Sequence, residues 1–177
     1  LEFGGKLAFD ECEFVNAIMI ESEIAAFTNC SFNSNHDNEY AVWVNEGITT
    51  FNGCTFVGAR GLKIHEAYGS EVTSVVVDGC TFGPLTKKPG IALGDLNAET
   101  SVTIQNSLFI GCQPGDQNLY MYETDTDVTT FTFVNENNEV HANPNAMVQN
   151  WIENAQAGET VNIPAGEYTF PTAAFEA

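Results

Sequence analysis

Basic residues are nearly missing from this chain. One arginine, Arg60, and four lysines stand against 24 acids in 177 residues, a formal net charge of −19. A surface of that sign repels phosphate backbones and anionic headgroups, so nucleic acid and membrane insertion are excluded as expected modes of action. It suits calcium, cationic groups, neutral sugars, or solubility alone. Long apolar runs are also missing, and nothing approaches the roughly 20 residues of a membrane-spanning helix. No signal peptide is present, and a chain opening on Leu1 rather than Met reads as a piece excised from a longer one. The five cysteines form an odd set without a Cys-x-x-Cys pair. That spacing argues against both a disulfide framework and a zinc site.

What is abundant is apolar and aromatic, at 44% and 11% of the residues. This is enough to build the core of one domain, or of one domain and part of another. The apolar residues are distributed as a repeat. "FDECEF", "FTNCSF", "FNGCTF" and "VDGCTF" place Cys12, Cys30, Cys54 and Cys80 two residues before Phe14, Phe32, Phe56 and Phe82. "IQNSLF" is a fifth copy, with Ser107 in the cysteine slot and Phe109 in the aromatic slot. The intervals between successive Phe slots are 18, 24, 26 and 27 residues, too irregular for a helical repeat and suited to a constant frame with variable loops.

Each copy follows an alternating pair: Leu7/Phe9, Ala25/Phe27, Thr49/Phe51, Val75/Val77, Val102/Ile104, and a sixth read at Thr129/Phe131. A second family of segments lies between the copies: "IMIES", "VWVNE", "LKIHE", "IALGD" and "LYMYE". Period-two alternation broken by Asn, Asp and Gly is the pattern of short strands and turns. Uneven loops between many short strands predict an all-β chain, a right-handed parallel β-helix of about five to six rungs over residues 1–140. Equivalent side chains then stack in columns about 4.8 Å apart. In that frame the cysteines are small buried hydrophobes filling a corner beside a phenylalanine column, and Ser107 supports a role set by size. Cys112, outside the column, reads as a lone loop thiol.

Residues 141–177 break the pattern. Asn143 and Pro144 make an N-cap and first turn, and Met147, Val148, Trp151, Ile152 and Ala155 form one apolar helix face closed by Gly158. "TVNIPAGEYTF" reads as strand, turn, strand. With Gly158 and Glu159 it matches the pattern G-[DE]-T-V-x-[IVL]-P-A-G-x-Y-x-[FIL] through Thr160, Val161, Ile163, Pro164, Ala165, Gly166, Tyr168 and Phe170. This segment resembles the opening cap of pectate-lyase-like β-helix proteins. A cap at the end of a chain has two readings: the start of a following domain, which is preferred, or a fold-back that closes this one. The rungs over roughly residues 5–135 resemble those of bacterial secreted or surface-anchored adhesin-like β-helix proteins. The resemblance implies a secreted or cell-surface module.

Function is expected in the outward columns of the second strand family. One column reads Met19, Trp43, Lys63, Ala92, Tyr120, and the next Glu21, Asn45, His65, Gly94, Tyr122. Trp43, Tyr120 and Tyr122, with Asn45, Lys63 and His65 as polar partners, are the candidate ligand-binding set, because aromatic faces with a few polar groups suit sugar rings. Loops packed over the same aromatics are the alternative. Beyond lie Glu46, Glu66, Asp95 and Glu123, which with Asp125 and Asp127 are calcium candidates, since carboxylate oxygens are what Ca²⁺ selects; no metal or other cofactor is otherwise expected. The pectate-lyase resemblance implies lyase or hydrolase chemistry as an alternative, and "ARGLKIHE" is where Arg60, Lys63, His65 and Glu66 offer it. No Asp-Asp pair, Gly-His-Gly or Arg-x-Lys accompanies them. The sequence therefore predicts a non-catalytic module for adhesion or glycan binding, with a carbohydrate-active enzyme fragment as the alternative and no prediction of oligomeric state.

Overall fold

The computed structural model describes residues 2–34, 39–67, 69–85, 90–111 and 129–170. Strand dominates. In chain order the elements are β1 (Glu2–Asp10), β2 (Glu13–Val15), β3 (Ile18–Thr28), β4 (Ser31–Ser34), β5 (Tyr40–Asn52), β6 (Thr55–Gly58) and β7 (Arg60–His65). They continue as β8 (Val72–Asp78), β9 (Thr81–Leu85), β10 (Ile91–Gly94), β11 (Ser101–Gln105), β12 (Leu108–Ile110), β13 (Thr132–Glu136) and β14 (Glu139–His141), followed by the helix α1 (Pro144–Asn154). All pairings are parallel. One sheet runs β1-β3-β5-β8-β11-β13, with β7 on β5 and β10 on β7; the other runs β14-β12-β9-β6-β4-β2.

The register resolves these strands into three tracks. The alternating pairs align as Leu7, Ala25, Thr49, Val75 and Val102, and as Phe9, Phe27, Phe51, Val77 and Ile104. The Cys-x-Phe copies form a track of their own, aligning Phe14, Phe32, Phe56, Phe82 and Phe109. The first halves of β3 and β5 carry the third track onward to β7 and β10. The last repeat departs from expectation: Val102 and Ile104 pair with Phe133 and Asn135, not with Thr129 and Phe131. A sixth copy, "NENNEV", thereby puts Asn138 in the cysteine slot and Val140 opposite Phe109.

Between the first and second tracks the chain bends at one recurrent residue. Glu11, Asn29, Gly53, Gly79, Asn106 and Asn137 all have φ between 52° and 62°. That left-handed conformation is cheap for Gly and tolerable for Asn, which is why those residues recur there. The bend does not interrupt the hydrogen bonding. The N–H groups of Glu11, Asn29 and Gly53 donate to the carbonyls of Thr28, Asn52 and Asp78 in the next repeat, at 2.9–3.0 Å.

The residue after each bend is the cysteine slot. Cys30, Cys54 and Cys80 are free and buried, and burial pushes the Cys30 thiol above its ordinary pKa. Each of these thiols donates to the carbonyl two residues back, at 3.3–3.6 Å. Each also reaches the carbonyl of Phe9, Phe27 or Phe51 in the preceding repeat, at 3.4–3.6 Å. Ser107 copies the first contact at 2.8 Å onto the Gln105 carbonyl, and Asn138 copies the second at 2.8 Å onto Ile104. The slot therefore selects a small side chain that can donate, a sharper condition than size alone.

Two phenylalanine columns fill the interior. Phe9, Phe27 and Phe51 stack at 5.2–5.3 Å, and Phe14, Phe32, Phe56, Phe82 and Phe109 stack at 4.5–5.0 Å. The columns meet edge-to-face, as Phe27 does Phe32 at 5.3 Å. Offset and edge contacts of this kind add about 0.5–1.5 kcal/mol per pair beyond burial.

Helix α1 begins as expected, with the Asn143 side chain accepting from the N–H groups of Asn145 and Ala146. Met147 and Val148 pack on Ile110 in β12, so the helix lies on the outer side of the second sheet. The expected strand pair beyond it is not formed; residues 155–170 contain no strand. This segment crosses a sheet face, where no strand edge offers it ladder partners. A Cβ added at Gly166 would clash with the Pro84 side chain in β9, and the Thr169 N–H donates to the Asn145 side chain.

Two substitutions test the interior in opposite directions. Phe32→Ala removes a ring stacked at 5.0 Å on both Phe14 and Phe56, and is expected to lower the unfolding free energy by about 3–5 kcal/mol. Thr49→Val removes a hydroxyl that is fully buried without a hydrogen-bond partner in a column otherwise made of Ala25, Val75 and Val102. With Leu7 also in that column, it is expected to raise stability by about 1 kcal/mol. Urea denaturation of both variants reads the two signs.

Candidate functional site

The third track aligns Met19, Trp43, Lys63 and Ala92 as the alternation requires. Behind them Val42, Val44, Leu62, Ile64, Ile91 and Leu93 are fully buried. Over its described residues the column is nevertheless not an open aromatic platform. Ala92 is 0% and Lys63 9% exposed. The Lys63 ammonium sits 4.0 Å from the centroid of the Trp43 ring, a cation–π contact. The Trp43 Nε1–H donates to the His65 carbonyl at 3.0 Å. One ring face and the only polar handle of Trp43 are therefore already engaged.

Asn45 does not join the neighbouring outward column. Val44 pairs with Ile20 and Glu46 with Glu21, so Asn45 is the extra residue of a β-bulge, which re-aims a side chain. It is 1% exposed. Its Nδ2 donates to Glu21 Oε1 at 2.8 Å, and its Oδ1 accepts the Ala67 N–H at 2.9 Å. The outward position expected for Asn45 is thus corrected by a register slip that period-two counting does not see.

The "ARGLKIHE" residues spread along β7 rather than converge. Arg60 lies over the Tyr40 ring at 5.3 Å. It is five positions along the strand from His65, roughly 16 Å of extended chain. His65 Nε2 meets Asp95 Oδ2 at 3.0 Å, with 14% of the His65 side chain exposed against 79% of Asp95. Glu66 accepts from the Val72 N–H, from Asn97 Nδ2 and from Thr100 Oγ1, each at 3.1 Å. Its carboxylate ties the loop before β8 to the loop after β10. Among the described residues no group of three His, Cys, Asp or Glu side chains is placed to hold a metal ion. Tyr120, Tyr122, Glu123, Asp125, Asp127 and Cys112 lie outside the described residues.

Beside the bulge lies a groove of about 430 Å³ lined by Glu21, Asn45, Glu46, Ala67, Gly69, Ser70 and Glu71. Two of these, Asn45 and Glu46, were candidates on sequence grounds. Glu71 and Ser70 come from the 66–71 connection, which carries turn chemistry but no strand period, so column-by-column alignment misses them. The lining is rich in oxygen acceptors.

Burial, and then the Lys63 charge, hold the His65 pKa below its ordinary value, with Asp95 opposing them. The unfolded chain therefore binds the proton more readily than the folded one. Stability from this residue is present above the unfolded value of about 6.5 and is lost as pH falls through it toward the lower folded value. Urea midpoints of wild type are expected to drop between pH 7.5 and pH 5.5, and His65→Gln is expected to drop less. A variant with the same pH slope would contradict the assignment.

Compared with protein-family models, with curated proteins and with solved structures, the chain matches none of them.

Proposed function

We propose that the chain is a right-handed parallel β-helix of the pectate-lyase-like kind, and that it serves as a non-catalytic module of a secreted or cell-surface bacterial protein, binding a glycan. Three strand tracks held in constant register, with a left-handed bend recurring at the same slot, support the β-helix reading. The resemblance of the rungs and of the Gly158–Phe170 segment supports the setting.

One observation carries the functional part: the residues that would do chemistry are held by their neighbours. Glu66 accepts hydrogen bonds from three groups across two loops, Asp95 is paired with His65, and Arg60 is at the far end of β7 on Tyr40. A glycosidase needs two carboxyls facing one sugar across about 5–10 Å, and a lyase needs a base aimed at substrate. The groove at Glu21, Glu46 and Glu71 instead offers acceptors around Asn45 and Ser70. Sugar hydroxyls and amines donate to such a lining, and uronates are repelled by it. The ligand class is therefore neutral or amine-bearing saccharides, with no cofactor in the proposal.

A glycan array probed with wild type and Glu46→Gln/Glu71→Gln tests this. Neutral or amino-sugar glycans are expected to bind, and the double variant to lose at least tenfold in affinity. Trp43→Ala is expected to cost stability more than affinity. Binding to no glycan, or release of unsaturated or reducing ends from a polysaccharide panel, would overturn the proposal.

A further inference from the structure

The chain contains two tryptophans, and the structure uses them differently. Trp43 has its indole N–H on the His65 carbonyl and Lys63 over its ring. Trp151, on α1, is half-buried: it packs against the Ile110, Met147 and Val148 cluster and meets His141 edge-on at 6.0 Å. Its indole N–H has no partner among the described residues. It lines a second groove, of about 370 Å³, between α1 and the segment that follows, together with Asn150, Asn154, Glu159 and Asn162.

The polar groups around that indole are only partly engaged with one another. Asn154 Nδ2 donates to the backbone and side-chain oxygens of Asn150, leaving Asn154 Oδ1 and Asn150 Nδ2 unused. Glu159 accepts the Gln156 N–H through one oxygen, leaving the other open. Asn162 is exposed and has no partner among the described residues. The groove therefore presents an aromatic ring flanked by donors and acceptors in mixture. A ligand that fits must offer a weakly polar face for the ring and groups at its rim that both donate and accept. A pyranose does both, through its C–H face and its hydroxyls. Anionic ligands are disfavoured by Glu159 and by the net charge of −19, and that removes uronates and nucleotides, which would otherwise stack equally well.

We infer that the groove between α1 and residues 155–162 is a binding subsite for neutral pyranose units, separate from the groove at Glu46 and Glu71. It extends the glycan-binding reading but does not need the first groove to be occupied.

Trp43→Phe leaves Trp151 as the single tryptophan and reports on this groove alone. Titrating that variant with cellohexaose, mannohexaose and galactotetraose is expected to give a saturable change in Trp151 emission with at least one of them. Trigalacturonate is expected to give none. Asn162→Ala, an exposed substitution that leaves the α1 packing on Ile110 untouched, is expected to weaken that binding at least fivefold. Trp151→Ala, followed by calorimetry, is expected to abolish it. Glu46→Gln/Glu71→Gln is expected to leave it unchanged, which separates this subsite from the first groove. No saturable emission change with any neutral oligosaccharide would overturn the inference. So would binding that survives both Trp151→Ala and Asn162→Ala, or a preference for trigalacturonate.

Discussion

Parallel register is the constraint on which the rest of this structure depends, and the left-handed bend before each cysteine slot is where it is set. A residue at φ near +55° turns the chain while its N–H stays aligned with the next repeat's carbonyl, as Asn29 does on Asn52 at 2.9 Å. The first and second tracks therefore enter and leave the corner in phase. If one bend were a residue longer, every side chain downstream would swap faces. Phe32 would then point to solvent and the edge-to-face contact with Phe27 at 5.3 Å would be lost. The cysteine slot belongs to the same corner, because only a small donor can sit beside the bend and reach the carbonyl of the previous repeat.

A frame this regular leaves little of its regular surface free. Side chains about 4.8 Å apart in a column cover one another, so Trp43 lies between Met19 and Lys63 and Ala92 is buried outright. Open concavity arises instead where register is broken. The first groove sits at the one-residue bulge of Asn45, and the second where residues 155–162 run beside α1 without joining a sheet. Both are made largely by connections, consistent with the general placement of binding residues on loops held by a rigid scaffold.

That division explains what could be read from the sequence. The strand tracks, the phenylalanine columns and the N-cap of α1 follow from periods of two and 3.6 and from capping chemistry, all local signals. The slots of Asn135 and Asn138 were hidden because the last repeat replaces Ile with Asn and Cys with Asn, leaving only hydrogen bonds to reveal equivalence. The burial of Asn45 against Glu21 and Ala67 was hidden because a bulge changes register without changing composition. The strands expected within 160–170 had the right pattern and no edge to pair with; β-propensity describes fit to a pleated neighbour more than a preference of the backbone.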